Sequence, residues 1–203
     1  TALSYVRQAE RLLSDYSARL KDIPEDKLKV VFFPYKASMW TAFESIWQEA
    51  AADKECEAKV VPIPYCDFGE GAGDVKWNYE IDKYPPYVPV IPFDRYSLRE
   101  EMPDIAFIHN PYDDTNTLTS VHPEYYSENI KKHAFLLVYS PYFIMGGYTR
   151  GKTDGFIVTK GGMNADRILV QSEFVKGIYE SYVYGSEKLI EYCSPKADEV
   201  VKG

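Results

Sequence analysis

Lys29-Val30-Val31-Phe32-Phe33-Pro34-Tyr35-Lys36-Ala37-Ser38 is a β-rich apolar run closed by Pro-Tyr, and the same closure recurs further along the chain. Val60-Val61 leads to Pro64-Tyr65-Cys66, Ile105 to Ile108 leads to Asn110-Pro111-Tyr112-Asp113, and Leu136 to Tyr139 leads to Ser140-Pro141-Tyr142. Proline has no amide hydrogen to give a central ladder, so each run should end as a strand there and turn outward. Parallel strands of this kind gather their C-terminal ends on one edge of the sheet, where open α/β folds bind ligands. Tyr35, Tyr65, Tyr112 and Tyr142 then line that edge. Each offers a flat apolar face and a phenolic hydroxyl, suited to stacking on a sugar or base while hydrogen-bonding its rim. The plain alternative is chance, since the chain holds 18 tyrosines in 203 residues.

Working outward from the first run, Ser38 is placed to start a helix whose Trp40, Phe43, Ile46, Trp47 and Ala50 share one face. Ala58 to Val61 follows as a second strand, giving a βαβ unit with a right-handed crossover. Later strands are predicted at Asp104 to His109, Phe135 to Tyr139 and Arg167 to Val170. Helices are predicted near Tyr96 to Glu101, near Pro123 to Lys132 and after Ser172. This alternation predicts a Rossmann-like, mostly parallel α/β sheet flanked by helices over residues 27–193. Residues 67–97 break the rhythm with Gly69, Gly71, Gly73 and Tyr84-Pro85-Pro86-Tyr87, and read as an aromatic-rich irregular insertion, an ordered flap near the site edge. Residues 1–26 read as an amphipathic helix packed on the domain, and the polar residues 194–203 as a linker with no partner.

A net charge of −8 and a pI near 5.0 argue against a nucleic-acid backbone as partner, which calls for a basic face. Small anions stay compatible, because helix amides and one or two lysines hold them locally. Cys56, Cys66 and Cys193 have neither disulfide-framework nor zinc spacing, which fits a reducing, cytoplasmic setting. No apolar stretch approaches the roughly 18 residues that span a bilayer. The start at Thr1 lacks a signal-peptide pattern and a methionine, so a piece cut from a longer chain or a processed product is expected.

His109-Asn110-Pro111-Tyr112-Asp113 brings an imidazole, an amide, a phenol and a carboxylate to one strand end. His109 is the candidate general base, with Asp113 or the following Asp114 to orient or charge it; backbone hydrogen bonding of the imidazole is the structural alternative. His122 precedes a proline-started helix, as a cap or a ligand contact. Lys36 and Ser38 flank the first helix start, where amides and an ammonium can hold a phosphate or carboxylate. Gln171-Ser172-Glu173 follows the last strand, and Ser172 reads as an N-cap. No dinucleotide, Walker, zinc-peptidase or serine-hydrolase motif is present, and Gly151-Lys152-Thr153 follows no strand, so no cofactor or metal is expected.

Val31-Phe32-Phe33-Pro34-Tyr35-Lys36-Ala37-Ser38-Met39-Trp40, Ile108-His109-Asn110-Pro111-Tyr112-Asp113, Thr119-Ser120-Val121-His122-Pro123 and Ala165-Asp166-Arg167-Ile168-Leu169-Val170-Gln171-Ser172-Glu173 resemble bacterial proteins grouped with CDP-glycerol glycerophosphotransferases, over roughly residues 29–185. The resemblance implies a GT-B transferase of two Rossmann-like domains, with this chain as the N-terminal one. It implies transfer of glycerol phosphate or a sugar from a nucleotide-activated donor to an acceptor hydroxyl in cell-wall polymer (teichoic acid) synthesis. In that scheme this domain holds the small-molecule or polymer acceptor, and the donor binds a C-terminal domain. His109 would be the base, with Asp113 beside it, and Tyr35, Lys36, Ser38, Tyr65, Asn110, Tyr112, His122, Tyr142 and Ser172 would bind substrate. The implied location is the cytoplasm, with peripheral association at the inner membrane face open to the full-length protein. The alternative is a non-catalytic carbohydrate- or nucleotide-binding module using the same tyrosine edge.

Overall fold

The computed structural model describes residues 26–202 other than 70–74, 146, 148, 150, 153, 183, 192 and 193. The amphipathic pattern of residues 4–20, and with it the expected N-terminal helix, lies outside the described residues. Six strands form a wholly parallel sheet in the order β2-β1-β5-β7-β8-β9. They are β1 (Leu28–Phe33), β2 (Cys56–Val60), β5 (Ile105–Ile108), β7 (Leu136–Tyr139), β8 (Arg167–Leu169) and β9 (Leu189–Ile190). The jump from β1 outward to β2 and back to β5 places the topological switch between β1 and β5.

Alternation along the strands builds two cores, one on each face, as a parallel sheet covered on both sides requires. Val31, Phe33, Ala106, Ile108, Leu137, Tyr139 and Ile168 face one side, and Val30, Phe32, Phe107, Val138 and Leu169 the other. The first side is covered by α2 (Leu98–Glu101), α3 (Ser127–Lys131) and α6 (Glu173–Glu180), which contribute Leu98, Ile130, Val175, Ile178 and Tyr179. The second side is covered by a 3₁₀ turn at Ala37–Ala42 and α1 (Glu44–Ala52), with Trp40, Phe43 and Trp47 inward, and by Tyr84 and Val88. Short helices α4 (Asp154–Ile157) and α5 (Lys160–Asn164) fill the connection from β7 to β8. Each buried Phe, Leu, Ile or Val contributes about 1.5–3 kcal/mol of transfer free energy, so this two-sided burial is the main stabilising term.

Three expectations are corrected. The helix after β1 does not start on a Ser38 cap: Ser38 is exposed and bonds no backbone amide, and a 3₁₀ turn precedes the α-helix. Residues 67–97 are less irregular than their glycines and prolines suggest. β3 (Tyr65–Phe68) pairs antiparallel with β4 (Val75–Asn78), and with β6 (Thr119–Val121), in a small second sheet ordered β4-β3-β6. Tyr65 therefore opens β3 and does not close β2, the chain reaching it through Pro62, Ile63 and Pro64. Finally, the polar tail is not an unpartnered linker. Pro195–Lys202 forms α7, with proline at its first position, and lies against α1 and the 3₁₀ turn, where the Ser45 hydroxyl donates to Asp198 Oδ2 at 2.7 Å.

Gly161 in α5 holds the loop after β5 in place. Its N–H donates to the Pro111 carbonyl at 2.7 Å, and a Cβ there would meet the Pro111 Cα at 2.7 Å. Alanine in a helix ordinarily gains about 0.5–1 kcal/mol over glycine. Here the neighbour is backbone and cannot swing away, so overpacking of about 1–3 kcal/mol wins. Gly161→Ala should therefore lower stability in urea unfolding, by about 1 kcal/mol at the middle of those two ranges and by at most about 2.5 kcal/mol.

Candidate functional site

The C-terminal ends of β1, β5 and β7 bring their proline-tyrosine units together as the sequence predicts. Tyr35 meets Tyr65 edge-on, with ring centroids 5.5 Å apart, and meets His109 at 5.0 Å; His109 meets Tyr142 at 6.3 Å. Tyr112 lies beside Tyr142: burial raises its phenol well above the ordinary value, and the Tyr142 phenol adds to that. Burial likewise raises the Tyr35 phenol, and raises that of Tyr65 to about 12 with help from Glu80. At neutral pH these hydroxyls are donors, not phenolates.

His109 sits beneath this edge and does not face solvent. It is 0% exposed, stacks on Phe43 at 4.8 Å, and its Nε2 accepts the Tyr35 amide hydrogen at 3.1 Å. That bond assigns the proton to Nδ1, a buried atom with no partner in hydrogen-bonding geometry among the described residues. Burial lowers the imidazole pKa to about 3, which the Met39 backbone offsets only in part. A neutral ring whose lone pair is already engaged cannot take a proton from an acceptor hydroxyl, so the geometry gives His109 a structural role and not that of a base. Asp113 is also turned inward. Its two carboxylate oxygens accept from the Ser127 amide (3.0 Å) and hydroxyl (2.6 Å), pinning the loop to the start of α3, and burial raises its pKa. Asp113 adopts a left-handed φ of 50°, and Asn110 Oδ1 accepts the Tyr112 amide at 3.4 Å, so both shape the turn.

The expected anion cradle at Lys36, Ala37 and Ser38 is filled from within. Glu80, carried by the insertion, accepts the Ala37 amide (2.9 Å), the Tyr65 hydroxyl (2.9 Å) and the Lys83 ammonium (2.9 Å). Burial pushes its carboxyl up, but these three donors outweigh it and the net shift is downward. Lys36 lies over the Tyr65 ring at 4.8 Å and pairs with Asp67 at 3.5 Å. Ser172 caps α6, its Oγ accepting the Val175 amide at 3.3 Å. His122 stands apart from the tyrosine cluster, beside Trp77 at 5.6 Å, with Nδ1 accepting the Glu124 amide.

The open space at this edge lies on the β5–β7 side. A cleft of about 810 Å³ runs between the loop at residues 112–118 and the segment at 152–163. Tyr112 and Tyr142 form its inner wall, Thr115 and Leu118 one flank, Lys152, Phe156 and Lys160 the other. Lys160 pairs with Asp114, and that contact, foremost, lowers the Asp114 pKa. The flanks escaped the sequence reading because they are exposed polar and apolar side chains of two connections 40 residues apart. Gly151-Lys152 was set aside for lacking a strand directly before it, yet it lies on the crossover that leaves β7; that position was the usable signal. A second hollow of about 470 Å³, lined by Leu28, Ile46, Cys56 and Phe107, opens at the strand starts, away from every candidate residue. Among the described residues no three His, Cys, Asp or Glu side chains converge as a metal site, and no helix is long and apolar enough to cross a membrane.

The fold is similar to that in the crystal structure of a UDP-N-acetylglucosamine 2-epimerase, with a TM-score of 0.51 at 15% identity. The match covers 87% of this chain and 51% of that one, so the chain spans about half its length. No protein-family model matches the chain, and no curated protein matches it in sequence. The likeness shows the fold alone, a Rossmann-like, mostly parallel α/β domain.

The buried imidazole sets a pH signature. With a folded pKa near 3 against about 6.5 unfolded, the neutral form is favoured in the native state. Its contribution is fully present above pH ~6.5 and is lost as pH falls toward 3, by up to about 1.4 kcal/mol per pH unit. His109→Gln keeps an acceptor for the Tyr35 amide and cannot titrate. Urea midpoints measured from pH 7 to 5 should fall more in the wild type than in this variant; parallel curves would mean that the native imidazole protonates.

Proposed function

We propose that this chain is the acceptor-side lobe of a GT-B-type transferase, moving glycerol phosphate or a sugar from a nucleotide-activated donor to an acceptor hydroxyl of a cell-wall polymer. The observation that carries the reading is the cleft at the strand ends. Its inner wall of Tyr112 and Tyr142 hydroxyls and its Lys152 and Lys160 flank suit a ligand that combines hydroxyl groups with phosphate. The resemblance of the strand-end segments to glycerophosphotransferases supports the reaction class. The half-length likeness to an enzyme named for a nucleotide sugar supports the two-lobed setting.

In this reading the lobe binds and orients the acceptor. The Tyr112 phenol, kept protonated by burial, donates to ligand oxygens beside the Tyr142 hydroxyl, and the lysines balance phosphate charge. Asp114, held low by Lys160, is a weak base, and His109 is engaged by Tyr35. Removal of the acceptor proton therefore falls to a group outside this cleft, and the isolated chain should turn over slowly if at all. A binding module that recognises a carbohydrate or nucleotide without reaction uses the same cleft.

Ligand-detected NMR titration separates the two. Glycerol 3-phosphate should bind, and Tyr112→Ala should weaken it about tenfold, a loss of about 1.4 kcal/mol. CDP-glycerol and nucleotide sugars should bind no better than glycerol 3-phosphate. Nucleotide binding with no response to glycerol phosphate would overturn the acceptor assignment in favour of the module.

A further inference from the structure

The small sheet β4-β3-β6 leaves the outer part of one face apolar and exposed. Directly opposed residues of an antiparallel ladder share a face, and alternate residues along a strand share it too. Tyr65 stands opposite Asn78 and Val121, and Asp67 opposite Lys76 and Thr119. That face meets the body of the domain at its inner end, through Tyr65 and Val121, and is polar and open farther out, with Asn78 Nδ2 donating to Asp67 Oδ2 at 2.9 Å. The other face buries Cys66 and Ser120 and carries Phe68, Val75 and Trp77, which are 38%, 43% and 52% exposed. An ordinary one-sided sheet puts its apolar residues inward. Here Trp77 turns its ring outward next to His122, with centroids 5.6 Å apart and planes at 53°.

This face is continuous with the cleft. The Phe68 amide donates to the Leu118 carbonyl at 2.9 Å, extending the β3–β6 register by one place and setting Leu118, 73% exposed, in a row with Phe68 and Val75. Leu118 is at the same time a flank of the cleft. The row spans about 10 Å from Leu118 to Val75, two strand spacings. At its far side the Trp77 indole and the His122 imidazole form a shallow aromatic notch. His122 Nδ1 accepts the Glu124 amide, so its Nε2–H is the group left for a ligand hydroxyl.

Building on the acceptor reading, we infer that Trp77 and His122 form a distal subsite that stacks a pyranose ring of an acceptor chain whose reacting end lies in the Tyr112–Tyr142 cleft. The acceptor class is then a saccharide oligomer and not a free monosaccharide or polyol. An aromatic plate with one adjacent donor matches a sugar, whose faces are apolar and whose rim is hydroxylated. Lys76 lies on the opposite face of the strand, so among the described residues this face offers no cation to an anionic lipid surface.

The test follows indole N–H signals in ¹⁵N-labelled protein. Trp40 and Trp47 are buried, so the Trp77 signal is assigned by its loss in Trp77→Ala. Titrants are cellohexaose, chitohexaose and maltohexaose, with glucose, glycerol 3-phosphate and phosphatidylglycerol vesicles. At least one hexaose should move the Trp77 signal and bind about tenfold more weakly to Trp77→Ala and to His122→Ala, with glucose far weaker. Glycerol 3-phosphate binding at the Tyr112 cleft should be unchanged in both variants. A Trp77 signal that no saccharide moves, or that moves only with vesicles, overturns the subsite, while intact glycerol 3-phosphate binding would leave the acceptor reading standing.

Discussion

The hydrogen bond from the Tyr35 amide to His109 Nε2 is the constraint on which the strand edge depends. It ties the end of β1 to the end of β5 at the point where the sheet order reverses, the place where two proline turns would otherwise diverge. Forming it buries an imidazole in its neutral form, stacked on Phe43 and enclosed by Tyr35 and Tyr142. The polar cost of that burial is met at one nitrogen only. The edge is thus held by a residue type usually sought for reactivity, used here for its shape and its single lone pair. Ser140 acts in the same way at the next strand end, its hydroxyl donating to the Ala42 carbonyl at 2.7 Å and fixing the third tyrosine turn to the helix layer.

Around that tie the domain divides its surfaces by role. On the β2 side the tyrosine edge is closed by β3 and the insertion, where Tyr65, Asp67 and Glu80 are internal partners for Lys36 and the first helix turn. On the β7 side the edge stays open, and the two long connections after β5 and β7 wall the cleft. The small antiparallel sheet bridges the two regions, burying Tyr65, Cys66, Ser120 and Val121 against the domain and leaving Phe68, Val75 and Trp77 to solvent.

The parallel sheet was legible because strands buried on both faces read as unbroken apolar runs, and proline marks their ends. The tyrosine gathering was legible for the same reason, since strand ends must share an edge. The inward turn of His109 was not, because a strand-end imidazole reads alike whether its lone pair meets solvent or a backbone amide 74 residues away. Residues 65–68 and 75–78 escaped as strands because each is only four residues long and glycines separate them. Pro195–Lys202 looked like a linker because its composition is polar and its partner Ser45 lies 153 residues earlier. Glu80 gives no local signal at all: a carboxylate that satisfies a helix start across 43 residues is visible only in three dimensions.

Glu80 also has a consequence for competition. A carboxylate tethered to the same chain faces the Ala37 amide at an effective concentration of order millimolar or higher, whatever the surrounding solution contains. A free phosphate or carboxylate must outcompete that built-in anion as well as bind, so the turn after β1 behaves as a saturated site. That turn is the position phosphates favour in many parallel α/β folds, and here it is already occupied by the chain's own carboxylate.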